Sequence, residues 1–115
     1  MKTFKELLDR FPWAVGRGQE YGEGWLGLVF SFCEEVEERY RAANKELDFE
    51  IFAIKEKYAE LCFQYDKVGS IDLGNLERKC EKLSAETCET CGEKGTFRDD
   101  RGWFSVACDS CYKPS

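Results

Sequence analysis

The run TCETCG at residues 87–92 and the run CDSC at residues 108–111 are two C-x2-C pairs with sixteen residues between them. A C-x2-C pair turns two sulfurs toward one point. Two such pairs at this spacing supply the four thiolates of a tetrahedral Zn²⁺ site, so Cys88, Cys91, Cys108 and Cys111 are the expected metal ligands. Gly92 follows the second cysteine directly, where a tight knuckle can demand a positive φ. Between the pairs, Gly95–Arg98 and Trp103–Ala107 read as two short strands, and Asp99-Asp100-Arg101-Gly102 reads as their turn. Such a hairpin carries the second knuckle back beside the first, which is a zinc ribbon. An iron–sulfur cluster or a rubredoxin-like iron site would use the same four thiolates. A redox dithiol fits less well, because two pairs flanking a hairpin do not resemble a thioredoxin-like βαβ unit.

Four cysteine ligands close the coordination sphere, whereas catalytic zinc keeps a position for water. The expected zinc is therefore single and structural. It replaces a hydrophobic core that so short a segment cannot build.

The rest of the composition narrows the chemistry. The chain has 115 residues, seven cysteines, no histidine and a formal charge of −6. Without histidine there is no Ser-His or Cys-His nucleophile, and no carboxylate pair stands out as acid and base. A non-enzymatic protein is expected. The three remaining cysteines, Cys33, Cys62 and Cys80, are isolated, and free cysteine behaves mostly as a small buried hydrophobe.

The acidic balance is concentrated in residues 46–87, which carry six basic and ten acidic side chains. Four thiolates around one Zn²⁺ would take the chain to about −8. Both facts favour a protein partner over nucleic acid. A nucleic-acid-binding or transcription-associated ribbon is the alternative: Lys94, Arg98 and Arg101 lie near the hairpin, and Phe97, Trp103 and Phe104 offer rings for stacking. The N-terminal sequence MKTFKELLDRFPW lacks a signal-peptide pattern. The longest apolar stretch, Trp25–Cys33, falls far short of the roughly 20 residues that span a bilayer. A cytoplasmic protein is expected, in a reducing compartment where paired cysteines bind metal.

Upstream of the ribbon, Thr3 and Glu6 form a capping-box pattern for a short helix that Pro12 ends. Residues 12–24 read as a loop whose Trp13 and Tyr21 fold back onto the core. Residues 25–43 repeat apolar side chains at helical spacing, and Glu34-Glu35-Val36-Glu37-Glu38 reads as a solvated face. Residues 72–86 form another helix with Asp72 as N-cap. Residues 46–66 are ambiguous. The preferred reading is a helix to about Glu60, a short strand through Tyr65, and a loop over 66–70. The alternative is a β-hairpin turning near Ala59-Glu60. The expected architecture is α+β: a mostly helical body over residues 1–86, with a short strand or hairpin, and a zinc ribbon over 87–115 packed upon it.

Ile54-Lys55-Glu56-Lys57-Tyr58 and Leu61-Cys62-Phe63-Gln64-Tyr65 resemble the IKEKFGGLRFYY segment of small zinc-ribbon proteins encoded by phages and bacterial genomes. Gly24-Trp25-Leu26 matches their upstream Gly-Trp-Leu. Leu83-Ser84, Thr87 to Gly92 and Gly95 match their LSxxTCExCGxxG, and Trp103 with Cys108 resembles their final W…LC. The likeness covers most of residues 24–111. Here Ala59-Glu60 stands for the family's Gly-Gly, and a second C-x2-C replaces a frequent terminal Cys and His. The resemblance implies a phage-like or mobile-element origin. With it comes the expectation of a protein that binds and blocks a host factor, such as an immune effector, in the manner of an anti-CRISPR or other counter-defence inhibitor.

Overall fold

The computed structural model describes residues 3–112 except 17, 68, 100, 101 and 103. Helix α1, Phe4–Arg10, starts as its capping box requires: the Glu6 N–H donates to Thr3 Oγ1 at 3.2 Å. A 3₁₀ turn at Pro12–Ala14 leads into strand β1, Gly18–Glu20, and a second 3₁₀ turn at Glu23–Trp25 opens helix α2, Leu26–Ala42. Strands β2, Glu50–Lys57, and β3, Glu60–Lys67, form a hairpin that precedes helix α3, Gly74–Ser84. The chain closes with the ribbon strands β4, Thr96–Arg98, and β5, Ser105–Ala107. This is the α+β architecture expected, with 3 α-helices among the described residues.

The preferred helix over residues 46–60 is not formed; the hairpin alternative is. Its cause lies at Phe52. Ile51 pairs with Tyr65, Ile54 pairs with Phe63, and the register shifts between Ile51 and Ala53. One extra residue on β2 is a β-bulge, and it returns Ile51 and Ile54 to the same side. Both are buried. The bulge thus produces an i, i+3 apolar pair, the spacing that otherwise marks a helix face. The turn falls at Tyr58 and Ala59, whose φ values are +52° and +65°. Two positive φ values suit the right-handed twist of a two-residue hairpin. Residues 66 and 67, expected in a loop, continue β3.

The loop expected over 12–24 contributes a strand. β1 pairs in parallel with β2, placing Gly18 opposite Ala53, so the sheet order is β1-β2-β3. A parallel pair needs a long crossover, and α2 is that crossover. At Gly16, φ is +54°, and a Cβ would lie 2.0 Å from the Phe52 carbonyl oxygen. Trp13 packs edge-on against Phe49 and Tyr21 against Phe4, so both aromatics fold back as expected.

Helix α2 fills the centre. Trp25, Leu26, Val29, Cys33 and Val36 are fully buried, and Phe32 stacks on Phe63 of β3 at 4.4 Å. Its acidic run is solvated and paired: Glu35 with Lys79 at 3.0 Å, Glu37 with Arg10 at 2.9 Å, Glu38 with Arg41. On α3 the apolar face carries Leu76 and Cys80. Its N-cap position is Leu73 rather than Asp72, although Asp72 Oδ1 accepts from the Gly74 N–H at 2.9 Å. Ser84, fully buried, seals the β3 edge: its Oγ accepts from the Leu61 N–H and donates to the Glu81 carbonyl. No helix among the described residues is long and apolar enough to cross a membrane.

Candidate metal centre

The sulfurs of Cys88, Cys91, Cys108 and Cys111 all lie within 4.8 Å of one another, and Cys91 Sγ is 3.6 Å from Cys108 Sγ. A tetrahedron with metal–sulfur bonds near 2.3 Å has sulfur–sulfur edges of about 3.8 Å. The cluster therefore fits a single tetrahedral metal ion. All four expected ligands are brought together.

Each knuckle is built by the same backbone device. The Gly92 N–H donates to the Cys88 carbonyl, and the Tyr112 N–H to the Cys108 carbonyl, both at 2.9 Å. Gly92 has φ +84°, the left-handed value its position suggests. The first knuckle is tied at its flanks by Cys88 N–H to Glu93 O at 2.7 Å and Gly95 N–H to Glu86 O at 2.8 Å. It meets the hairpin through the Glu89 N–H on the Val106 carbonyl at 3.0 Å. The β4–β5 pairing of Phe97 with Val106 brings the second knuckle round. The central residues of the expected 99–102 turn, and Trp103, lie outside the described residues; Gly102 has φ +82°.

Burial raises the Cys88 thiol, but backbone N–H groups of Cys108, Cys91 and Thr90 outweigh it and bring its pKa down to about 6. Cys111 moves the other way, up to about 12, because its sulfur shares hydrogen bonds with Cys108 and Cys91. The fold thus favours the thiolate at Cys88, and metal binding, which takes thiolates as ligands, releases protons.

Arg98, expected as a free basic residue near the hairpin, is a brace instead. It donates to the Ala107 carbonyl at 3.1 Å and to Asp109 Oδ1 at 2.8 Å, and lies 4.3 Å over the Tyr112 ring. It thereby holds the second knuckle from one side.

Sequence reasoning missed how the body grips the ribbon. Trp25 Nε1 donates to the Thr87 carbonyl at 2.7 Å, and the Gly24 N–H to the Glu89 carbonyl at 2.9 Å. A Cβ on Gly24 would stand 2.2 Å from the Cys88 carbonyl oxygen, and one on Gly22 would stand 2.0 Å from that of Glu89. The pair of glycines before Trp25 is a notch in which the first knuckle sits. The signal was Gly-x-Gly-Trp, but its counterpart is backbone more than sixty residues away.

The other cysteines stay apart from the site. Cys33 and Cys80 are buried, and burial raises both thiols, Cys80 to about 12. Cys62 is half-buried on β3. No protein-family profile, functionally characterised protein or solved structure matches this chain.

Proposed function

We propose that the four cysteines hold one structural Zn²⁺ and that the chain is a non-enzymatic interaction protein acting on a protein partner. The four-sulfur cluster carries the first half of this reading. Thiolate-only, four-coordinate sites suit zinc, and they leave no position for substrate or water. With no histidine in the chain and the sphere closed by sulfur, the metal's role is to hold shape.

The second half is supported by three exposed rings where the body hairpin meets the ribbon. Tyr58 is 71 % exposed, with its ring 6.2 Å from that of Phe104, which in turn lies 5.4 Å from Phe97. Contiguous exposed aromatics mark interaction surfaces. Tyr58 also occupies a left-handed backbone position that bulky residues avoid. The same rings could stack on bases, but the net charge of −6 and the engagement of Arg98 with Asp109 favour protein. The resemblance to phage-encoded ribbons gives the partner a class: a protein of a bacterial host, such as an immune effector, met in its cytoplasm.

Elemental analysis of the purified protein is expected to find about one zinc per chain, as one four-ligand site requires; iron in its place overturns the metal assignment. Capture from a bacterial host lysate at near-physiological salt, with wild-type and Tyr58→Asn/Phe104→Ser baits compared, is expected to recover one stoichiometric protein with the first bait only. Retention of nucleic acid in place of protein, lost steeply as salt rises, supports the alternative.

A further inference from the structure

The two knuckles share one internal bond but are fastened to the protein in different ways. The first is locked between the hairpin and the body. Glu89 donates its N–H to the Val106 carbonyl and accepts from the Gly24 N–H, and the Thr87 carbonyl accepts from the Trp25 indole. Cys88, Trp25 and Val106 are all fully buried. Bonds anchored on such residues open only when the core opens with them, at a cost near that of unfolding the domain.

The second knuckle starts where β5 ends, at Ala107. Arg98, on β4, clasps it to the hairpin. The guanidinium donates to the Ala107 carbonyl at 3.1 Å and to Asp109 Oδ1 at 2.8 Å, and lies 4.3 Å over the Tyr112 ring. One rigid, planar fork thus reaches the knuckle before, within and after its turn, which a lysine ammonium could not do. The clasp lies at the surface. The Asp109 side chain is 100 % exposed, Ser110 is exposed, and Cys108 and Cys111 are half-buried. Releasing Asp109 and Tyr112 uncovers little apolar surface, and openings of that kind cost far less than global unfolding.

We propose that the cysteine cluster opens from one side: Cys88 and Cys91 are its fixed half, Cys108 and Cys111 its moving half, and Arg98 is the positioning residue that closes it. Cys88 and Cys91 take an arriving ion first, and the second knuckle then closes on it. On release, Cys111 and Cys108 let go before the first pair. Each departing sulfur leaves as a thiolate with its electron pair, and the competing ligand supplies the pair that replaces it. The inference rests on the reading of the four sulfurs as a metal site and adds the order in which they bind and part.

Two amides give a matched comparison. The Gly92 N–H bonds the Cys88 carbonyl and the Tyr112 N–H bonds the Cys108 carbonyl, both at 2.9 Å. Hydrogen exchange of the Zn²⁺-reconstituted full chain, corrected for intrinsic rates, is expected to be faster at Tyr112 than at Gly92. Arg98→Ala is expected to speed exchange at Tyr112 and leave Gly92 unchanged; general damage to the ribbon would speed both. In the same variant, zinc release into excess pyridylazoresorcinol is expected to quicken on the order of tenfold, the loss of a charge-assisted contact. Arg98→Lys, which keeps the charge and loses the fork, is expected to fall between Arg98→Ala and the wild type. Asp109→Asn is expected to have a smaller effect than Arg98→Ala, because its side of the pair is open to water. Equal exchange at the two amides in the wild type, unchanged zinc release in a folded Arg98→Ala variant, or a gain at Gly92 matching that at Tyr112 overturns the proposal. A chain that takes up no Zn²⁺ overturns the metal reading itself, whereas one that binds Zn²⁺ and opens evenly overturns the order of opening alone.

Discussion

At the scale of single residues, two glycines differ sharply in what a methyl group would do. Gly24 has no room, because its Cβ would collide with the backbone of Cys88 and Gly92. Gly24→Ala is expected to cost about 1–3 kcal/mol, as overpacking does, and to loosen metal binding. Gly27, on the first turn of α2, has open space. Gly27→Ala is expected to raise stability by up to about 1 kcal/mol. Denaturant unfolding of both variants with metal bound checks the pair. Asp48 offers a pH prediction. Its pKa is held at about 2, chiefly by the Tyr40 hydroxyl and then by Ser70. A carboxyl depressed on folding stabilises the protein above its unfolded pKa near 4, and that stabilisation is lost as pH falls toward 2. The wild type is expected to lose stability over that interval more steeply than Asp48→Asn, as measured by urea midpoints from pH 5 to pH 2.

Elements show most clearly what could be read from the chain. The knuckles were legible because C-x2-C spacing is local geometry: four residues fix where two sulfurs point. Helix α2 was legible because its apolar stripe has no interruption. The β2–β3 hairpin was not, for two physical reasons. The bulge at Phe52 gives Ile51 and Ile54 a helical spacing, and the turn uses Tyr58-Ala59 where glycine or asparagine would announce a positive φ. Strand β1 escaped notice because it has three residues and exists only by pairing with β2 across the α2 crossover. The edge of β3 yields a further prediction. Ser84→Ala leaves the Leu61 N–H without its acceptor inside the protein, at a cost of about 1–3 kcal/mol, read as a lowered denaturant midpoint with unchanged slope. Tyr58→Asn should act in the opposite direction. Asparagine tolerates the left-handed region, so the hairpin should gain stability of order 1 kcal/mol while capture of the proposed partner is lost.

Across the whole molecule the ribbon and the body depend on each other. Trp25, fully buried at the entrance to α2, is anchored to Thr87 just before the first ligand. If the four sulfurs hold a metal as proposed, its removal would free four thiols and loosen the knuckle against which Gly22, Gly24 and Trp25 pack. Chelation is therefore expected to change the tryptophan fluorescence and lower the melting temperature of the body as well as the ribbon. Cys88→Ser and Cys108→Ser should do the same, with metal content falling to background. A body that melts unchanged after metal loss would show that the two parts fold separately.

The glycine notch has a consequence for the life of the protein in a cell. A chain that fails to load the proposed ion is expected to present α2 with a loosened N-terminal end and a less protected Trp25, the kind of feature that proteases and chaperones recognise. Metal supply would then govern abundance: newly made copies persist when they load promptly and are cleared when they do not. Pulse-chase half-lives in metal-replete and chelator-treated cells are expected to differ for the wild type and to converge, short in both media, for Cys88→Ser.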